Sequence, residues 1–302
     1  MLLSAKIDAE WVFRRYQEIR HRLPVATFQN VPRAADGVQV LGANFDVFIF
    51  DSFGVLNIGE SPVSGAAVAI DALRRAGKQV RVLTNAASLP RSENTKRFAD
   101  MGFDFTDAEI VTSRMVLSES LADYDPDMLW AVVAPEASLI DELPCRVTPL
   151  VGTALDQADG FIMLSSHGWT QRRQDELAAA LHARPRPLLI GNADIAAPRE
   201  EGFSLQAGAW AHELADTLGI APRFFGKPYV DIFNAVLSRV PAGTTPDRIL
   251  MIGDTLHTDI LGAAAMGMKT ALVTDHGVLG GMDIDACIAE SGIRPDYVLP
   301  SL

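Results

Sequence analysis

An alternation of short apolar runs with helical stretches, beginning at residues 45–51, narrows the fold more than any other feature of the chain. The run Phe45-Asp46-Val47-Phe48-Ile49-Phe50-Asp51 is rich in β-forming side chains and apolar over four consecutive positions, as a strand buried on both faces of a parallel sheet must be. Residues 64–76 read as a helix stopping at Gly77, and 79–84 as the next strand. Further on, helices near 229–239 and 257–266 alternate with strands at 248–252 and 270–273. Such alternation predicts an α/β fold with helices on both faces of a parallel sheet. Ligands of such sheets bind beyond the carboxyl ends of the strands.

The middle of the chain has strands of its own, at 129–134, 160–164 and 188–191, and a helix near 170–182. This predicts a second domain inserted into the first. The expected division is a core formed by 1–88 and 206–302, with a cap at 89–205. Residues 1–43 form a leader to the core. Within it, 9–22 place Trp11, Tyr16 and Ile19 among Arg and Glu at helical spacing and end before Pro24, which reads as an amphipathic packing arm.

Charge and cysteine usage exclude several classes. The 302 residues carry 26 Lys and Arg against 38 Asp and Glu, a formal net charge of −12. No nucleic acid or anionic membrane surface is expected as a partner, and an anionic ligand would need a local cation. The two cysteines, Cys145 and Cys287, are far apart and form no CxxC. A disulfide framework and a Cys-rich zinc site are therefore not expected, and a reducing compartment is. Asp8 and Glu10 fall where a signal peptide needs its apolar core, and no apolar run approaches the ~18 residues of a membrane span. The expectation is a cytoplasmic protein.

Polar residues stand at several predicted strand ends. Asp51 follows 47–50, Thr84 and Asn85 follow 80–83, and Asp254 follows 249–253 with Asp259 five residues on; Gly226-Lys227-Pro228 precedes a helix. Carboxylates from separate strands suit Mg²⁺, a hard cation that takes oxygen ligands. A threonine hydroxyl and a lysine suit a phosphoryl group. Each residue alone could merely cap the following helix; the ordered set points to a site.

Asp51-Ser-Phe-Gly-Val-Leu56, Leu83-Thr84-Asn85, Gly226-Lys227-Pro228 and Gly253-Asp254-Thr-Leu-His-Thr258-Asp259 resemble, in order, the four motifs of the haloacid dehalogenase (HAD) superfamily. The stretch Ile260 to Val273 strengthens the match. Thr84-Asn85, the long insertion before Lys227, and Gly191-Asn192-Ala193-Asp194 with Pro198, Gly202 and Gly208 resemble the NagD-like branch, subfamily IIA. The resemblance covers about residues 45–300. It implies a Rossmann-like parallel-sheet core with an inserted α/β cap, and a Mg²⁺-dependent phosphatase acting on a small phosphorylated metabolite. Asp51 would be the nucleophile that forms an aspartyl-phosphate. Thr84 and Lys227 would act with it, and Thr84, Asn85, Lys227, Asn192 and Asp194 would bind substrate. Asp51, the Phe53 backbone carbonyl, Asp254 and Asp259 would hold Mg²⁺. Caps of this branch can also contribute to a homodimer.

Phe53 departs from the pattern. A second Asp usually stands there, protonating the leaving group and later activating water, and a phenyl ring can do neither. Alternation of side chains aims Phe53 toward the nucleophile's side and Ser52 away. Losing acid–base help typically costs ~10²–10⁴-fold, so two readings diverge. One is a hydrolase for good leaving groups; the other is a phosphate-ligand sensor that keeps the Mg²⁺ site without turnover. His257, inside the fourth motif, or His167, after a cap strand, could replace the acid, or either could simply be packed or exposed. Residues 262–270 only superficially resemble a phosphate-binding loop, because they precede a strand rather than follow one.

Overall fold

The computed structural model describes residues 6–302. A seven-stranded parallel sheet runs in the order Arg33–Ala34, Tyr297–Leu299, Lys269–Val273, Ile249–Gly253, Val47–Phe50, Gln79–Thr84, Ile110–Thr112. All four side chains of Val47–Phe50 are buried, because strands on both sides and helices on both faces cover them. The register aligns Phe50 with Ile252 on one neighbour and Val82 on the other. Asp51, Asp254 and Thr84 therefore leave the sheet side by side at its carboxyl edge.

A second parallel sheet forms the cap, in the order Arg223–Phe224, Leu188–Ile190, Gly160–Met163, Leu129–Val133, Arg146–Pro149. The two sheets divide the chain differently from the expected 89–205 insertion. Ile110–Thr112 extends the core sheet by pairing with Gln79–Thr84, and Arg223–Phe224 joins the cap beside Leu188–Ile190. Strands of two or three residues carry too little local pattern to reveal their partners, which tertiary pairing decides. Two antiparallel hairpins complete the strands. Asn57–Ile58 with Ser61–Pro62 belongs to the core, and Ala196–Pro198 with Phe203–Leu205 to the cap. They touch where the Glu200 carboxylate accepts from the Glu60 amide at 3.0 Å.

The leader helix Ala9–Glu18 is capped by Asp8, whose carboxylate accepts from the Trp11 amide. It ends sooner than the expected 9–22, in a 3₁₀ turn at Arg20–Arg22. Val12, Phe13, Tyr16 and Ile19 pack in one apolar cluster with Ile195 and Trp210 of the second half and with Leu256 and Ile260. Arg15 and Arg22 both pair with Asp216 on the helix Ala207–Leu218, at 2.5 and 2.7 Å. The Tyr16 hydroxyl accepts the buried Ile195 amide at 3.2 Å. Tyr16→Phe strands that amide without an acceptor, so it is expected to lower unfolding free energy by about 1–3 kcal/mol, read from a denaturant midpoint. An unchanged midpoint would show that the bond adds nothing.

Candidate active site

Lys227 is the centre of the site. Its side chain is 1% exposed, and its Nζ lies 2.5 Å from Asp51 Oδ1 and 2.7 Å from Asp259 Oδ1. Burial alone would lower the ammonium's pKa, but Asp259 and Asp51 outweigh it and hold the pKa above that of an ordinary lysine. Asn85 fixes the lysine's backbone. Its Oδ1 accepts from Lys227 N at 2.6 Å, and its Nδ2 donates to Lys227 O at 3.0 Å and to Asp194 Oδ1 at 2.7 Å. The carboxamide is thus spent on positioning Lys227 and Asp194.

Asp254 Oδ1 accepts from the Thr255 hydroxyl at 2.7 Å and its Oδ2 from Val278 N at 2.8 Å. Gly54, at φ +82°, lets the loop after Asp51 pass this carboxylate; a Cβ there would sit 2.2 Å from Asp254 Oδ2. Asp51, Asp254 and Asp259 each offer an oxygen, and these lie within 4.8 Å of one another. Burial, followed by the charge of Asp259, pushes the Asp254 carboxyl up to about 7. Burial also raises Asp51 well above the carboxylate range, against the pull of Lys227. When ionised, the three carboxylates against one ammonium leave two negative charges, and the donors are all oxygen. That set fits a divalent hard cation such as Mg²⁺.

Thr84 is buried beside them, and its Oγ1 accepts from Ala86 N at 3.1 Å, which leaves the O–H to donate. Phe53 is half-buried and lines a cavity together with Asn192 and Asp194 of the cap. Ser52 turns the other way, its hydroxyl donating to Asn57 Oδ1 at 2.7 Å. Asn192 Oδ1 accepts from Asp194 N at 2.9 Å, an Asx turn, while its Nδ2 donates to Gln206 at 3.1 Å. Burial raises the Asp194 carboxyl to about 6, against Lys227 and the Asn85 hydrogen bond.

His257 does not join this group. His257 is buried against the leader helix, stacked on Tyr16 at 5.2 Å and edge-on to Phe13 at 5.4 Å, with Nε2 2.7 Å from Gln17 Oε1. Burial lowers its pKa to about 3, so it is a packed, neutral ring. His167 is exposed. Its neighbour Trp169 is packed, donating from Nε1 to Gln174 at 2.9 Å. His257 therefore does not take up the role of the missing acid.

Two residues near Phe53 escaped the sequence reading. The guanidinium carbons of Arg97 and Arg199 lie 4.9 and 5.2 Å from the centroid of its ring. One comes from a core helix and the other from the cap hairpin, so no local spacing links them.

A model described as haloacid dehalogenase-like hydrolase matches residues 48–143, and one described as HAD-hydrolase-like matches 224–302. Glycerol-3-phosphate phosphatase of Homo sapiens is 27% identical, over 89% of this chain and 92% of that protein. Ribonucleotide monophosphatase NagD of Escherichia coli (strain K12) is 29% identical, over 84% and 95%. The crystal structure of a glycerol phosphate phosphatase from Mycobacterium tuberculosis in complex with magnesium has a TM-score of 0.67 and 26% identity, and the match covers 85% of this chain and 75% of that one. A parallel sheet presenting Asp51, Thr84, Lys227 and Asp254 beneath an inserted cap is the frame of a HAD-type hydrolase. The chain belongs to that superfamily of haloacid dehalogenase-like hydrolases, and NagD is among its relatives.

Proposed function

We propose that this hydrolase is a Mg²⁺-dependent phosphatase acting on a small phosphorylated metabolite through Asp51. The observation that carries the reading is the buried Lys227 ammonium between Asp51 and Asp259, with Asp254 alongside. A pure binder of phosphate would gain from the lysine but not from two carboxylates pressed against it, which repel an anion. Relatives whose names are phosphatases of glycerol phosphate and of ribonucleotides point the same way.

An Asp51 oxygen attacks phosphorus, and the bond from phosphorus to the leaving oxygen breaks, its electron pair going to that oxygen. Water then attacks phosphorus of the aspartyl-phosphate, releasing inorganic phosphate and restoring the carboxylate. The Thr84 O–H donates to a phosphoryl oxygen, and Lys227 offsets charge on nucleophile and phosphate. Asp51, Asp254, Asp259 and the Phe53 carbonyl would hold Mg²⁺, which when bound supplies positive charge to the phosphoryl oxygens. Phe53 gives no proton to the leaving oxygen, so substrates with good leaving groups react fastest. The two unpaired thiols suit a cytoplasmic setting.

The presence of Phe53 favours a second reading, a sensor that binds phosphate without turnover. Phosphate release from p-nitrophenyl phosphate, acetyl phosphate and an alkyl phosphate separates the two. The phosphatase reading expects Mg²⁺-dependent release, abolished by a chelator, with the alkyl ester slowest by ~10²-fold or more. Binding of phosphate with no release from any of the three would leave the sensor.

A further inference from the structure

The cavity beside Phe53 measures about 130 Å³ and is lined by Arg97, Asn192, Asp194, Arg199 and Gln206, among others. We propose that it receives the leaving group of the substrate and that Arg199 there binds a second anionic group on that leaving group, a carboxylate or a phosphate. The inference rests on the phosphatase reading and names its substrate class. The cavity is well below the about 300–1,000 Å³ of sites for drug-sized ligands, so the leaving group is small.

Arg199 stands in the turn of the cap hairpin, its amide donating to Gly202 O at 3.0 Å. Its Nε donates to Ser204 Oγ at 2.8 Å, which also accepts from Gln206 Nε2 at 2.8 Å. Gln206 Oε1 in turn accepts from Asn192 Nδ2 at 3.1 Å. This relay fixes one edge of the guanidinium with its carbon 5.2 Å from the Phe53 centroid. Among the described residues no carboxylate lies within 4.0 Å of Arg199, and its two terminal nitrogens have no hydrogen-bond partner.

The acids nearby are engaged elsewhere. Glu60 pairs with Arg97 Nε at 2.9 Å. Glu200 accepts from the Glu60 amide and the Ser61 hydroxyl, and it feels the charge of its neighbour Arg199 without pairing with it. Asp194 accepts from Asn85 and lies in the field of Lys227. Arg199 is therefore a positive charge held in place by hydrogen bonds, with no carboxylate in direct contact, beside the path of the leaving group. A planar guanidinium so held suits bidentate capture of a carboxylate or phosphate. In a chain of net charge −12, such a local cation is what lets a doubly anionic substrate enter.

The test compares glycerol 3-phosphate with 3-phosphoglycerate and with propane-1,3-diol bisphosphate, which add a carboxylate or a phosphate to a three-carbon leaving group. The wild type is expected to favour one of the anionic substrates by ~10-fold or more in kcat/KM, the scale of one charge-assisted hydrogen bond, and the one preferred identifies the group. In Arg199→Ala that ratio should fall toward one, mainly through KM, and Arg199→Lys should restore only part of it. Calorimetric affinities for the same compounds, with Ca²⁺ in place of Mg²⁺, give the ratio without turnover. No preference in the wild type, or a preference that Arg199→Ala leaves in place, would overturn the proposal. Absence of hydrolysis, with the affinity ratio still sensitive to Arg199, would instead count against the phosphatase reading alone.

Discussion

Lys227→Met is expected to lower turnover by ~10²–10³-fold and unfolding free energy by about 3–5 kcal/mol. Methionine keeps an unbranched apolar stem but removes the ammonium that lies 2.5 Å from Asp51 and 2.7 Å from Asp259. Three buried carboxylates with oxygens within 4.8 Å of one another would then have no cation among them. Removing one partner of a buried ion pair costs more than the pair itself contributes, because the remaining charge stays out of water. A divalent cation that binds only the folded chain stabilises it by mass action, about 2.7 kcal/mol at a hundredfold excess over Kd. Mg²⁺ should therefore raise the melting temperature of Lys227→Met more than that of the wild type. A variant that melts like the wild type without metal would show that the lysine does not neutralise this cluster.

Phe53→Asp should restore the missing proton donor. Acid–base catalysis spans ~10²–10⁴-fold, and the gain on an alkyl phosphate is expected near the lower edge. The reason lies in the neighbours of the ring. Arg97 and Arg199 approach it to 4.9 and 5.2 Å, and two guanidiniums would hold a new carboxyl ionised. Release from p-nitrophenyl phosphate, whose leaving group needs no proton, should change far less. Alkyl hydrolysis that stays at the wild-type rate in a folded Phe53→Asp chain would mean that position 53 does not limit the reaction.

Much of this site is legible along the chain because each motif pairs a buried strand with a polar residue at its carboxyl end. Asp51, Thr84 and Asp254 could be placed at one sheet edge before any coordinates, since strands in register must end together. Phe53 facing the cavity and Ser52 facing away follow from the same alternation. What the sequence hides is what depends on distant partners. His257 sits inside a catalytic motif, yet Phe13, Tyr16 and Gln17 arrive from the leader helix and enclose it. The sequence does not show that Asn85 holds Lys227 and Asp194 through its carboxamide. Ile110–Thr112 and Arg223–Phe224 change sheets relative to the expected division, because runs so short are assigned by pairing alone. Arg97 and Arg199 meet over one ring from positions about a hundred residues apart, and nothing local marks either.

The covalent mechanism requires Asp51 to be the phosphorylated residue. Rapid quenching of the Mg²⁺ enzyme during turnover of acetyl phosphate, followed by peptide mapping, should find phosphate on the peptide that holds Asp51. Asp51→Asn, which keeps the shape of the side chain, should lose both that modification and turnover. Hydrolysis that continues in Asp51→Asn, or turnover with phosphate never found on Asp51, would contradict the mechanism.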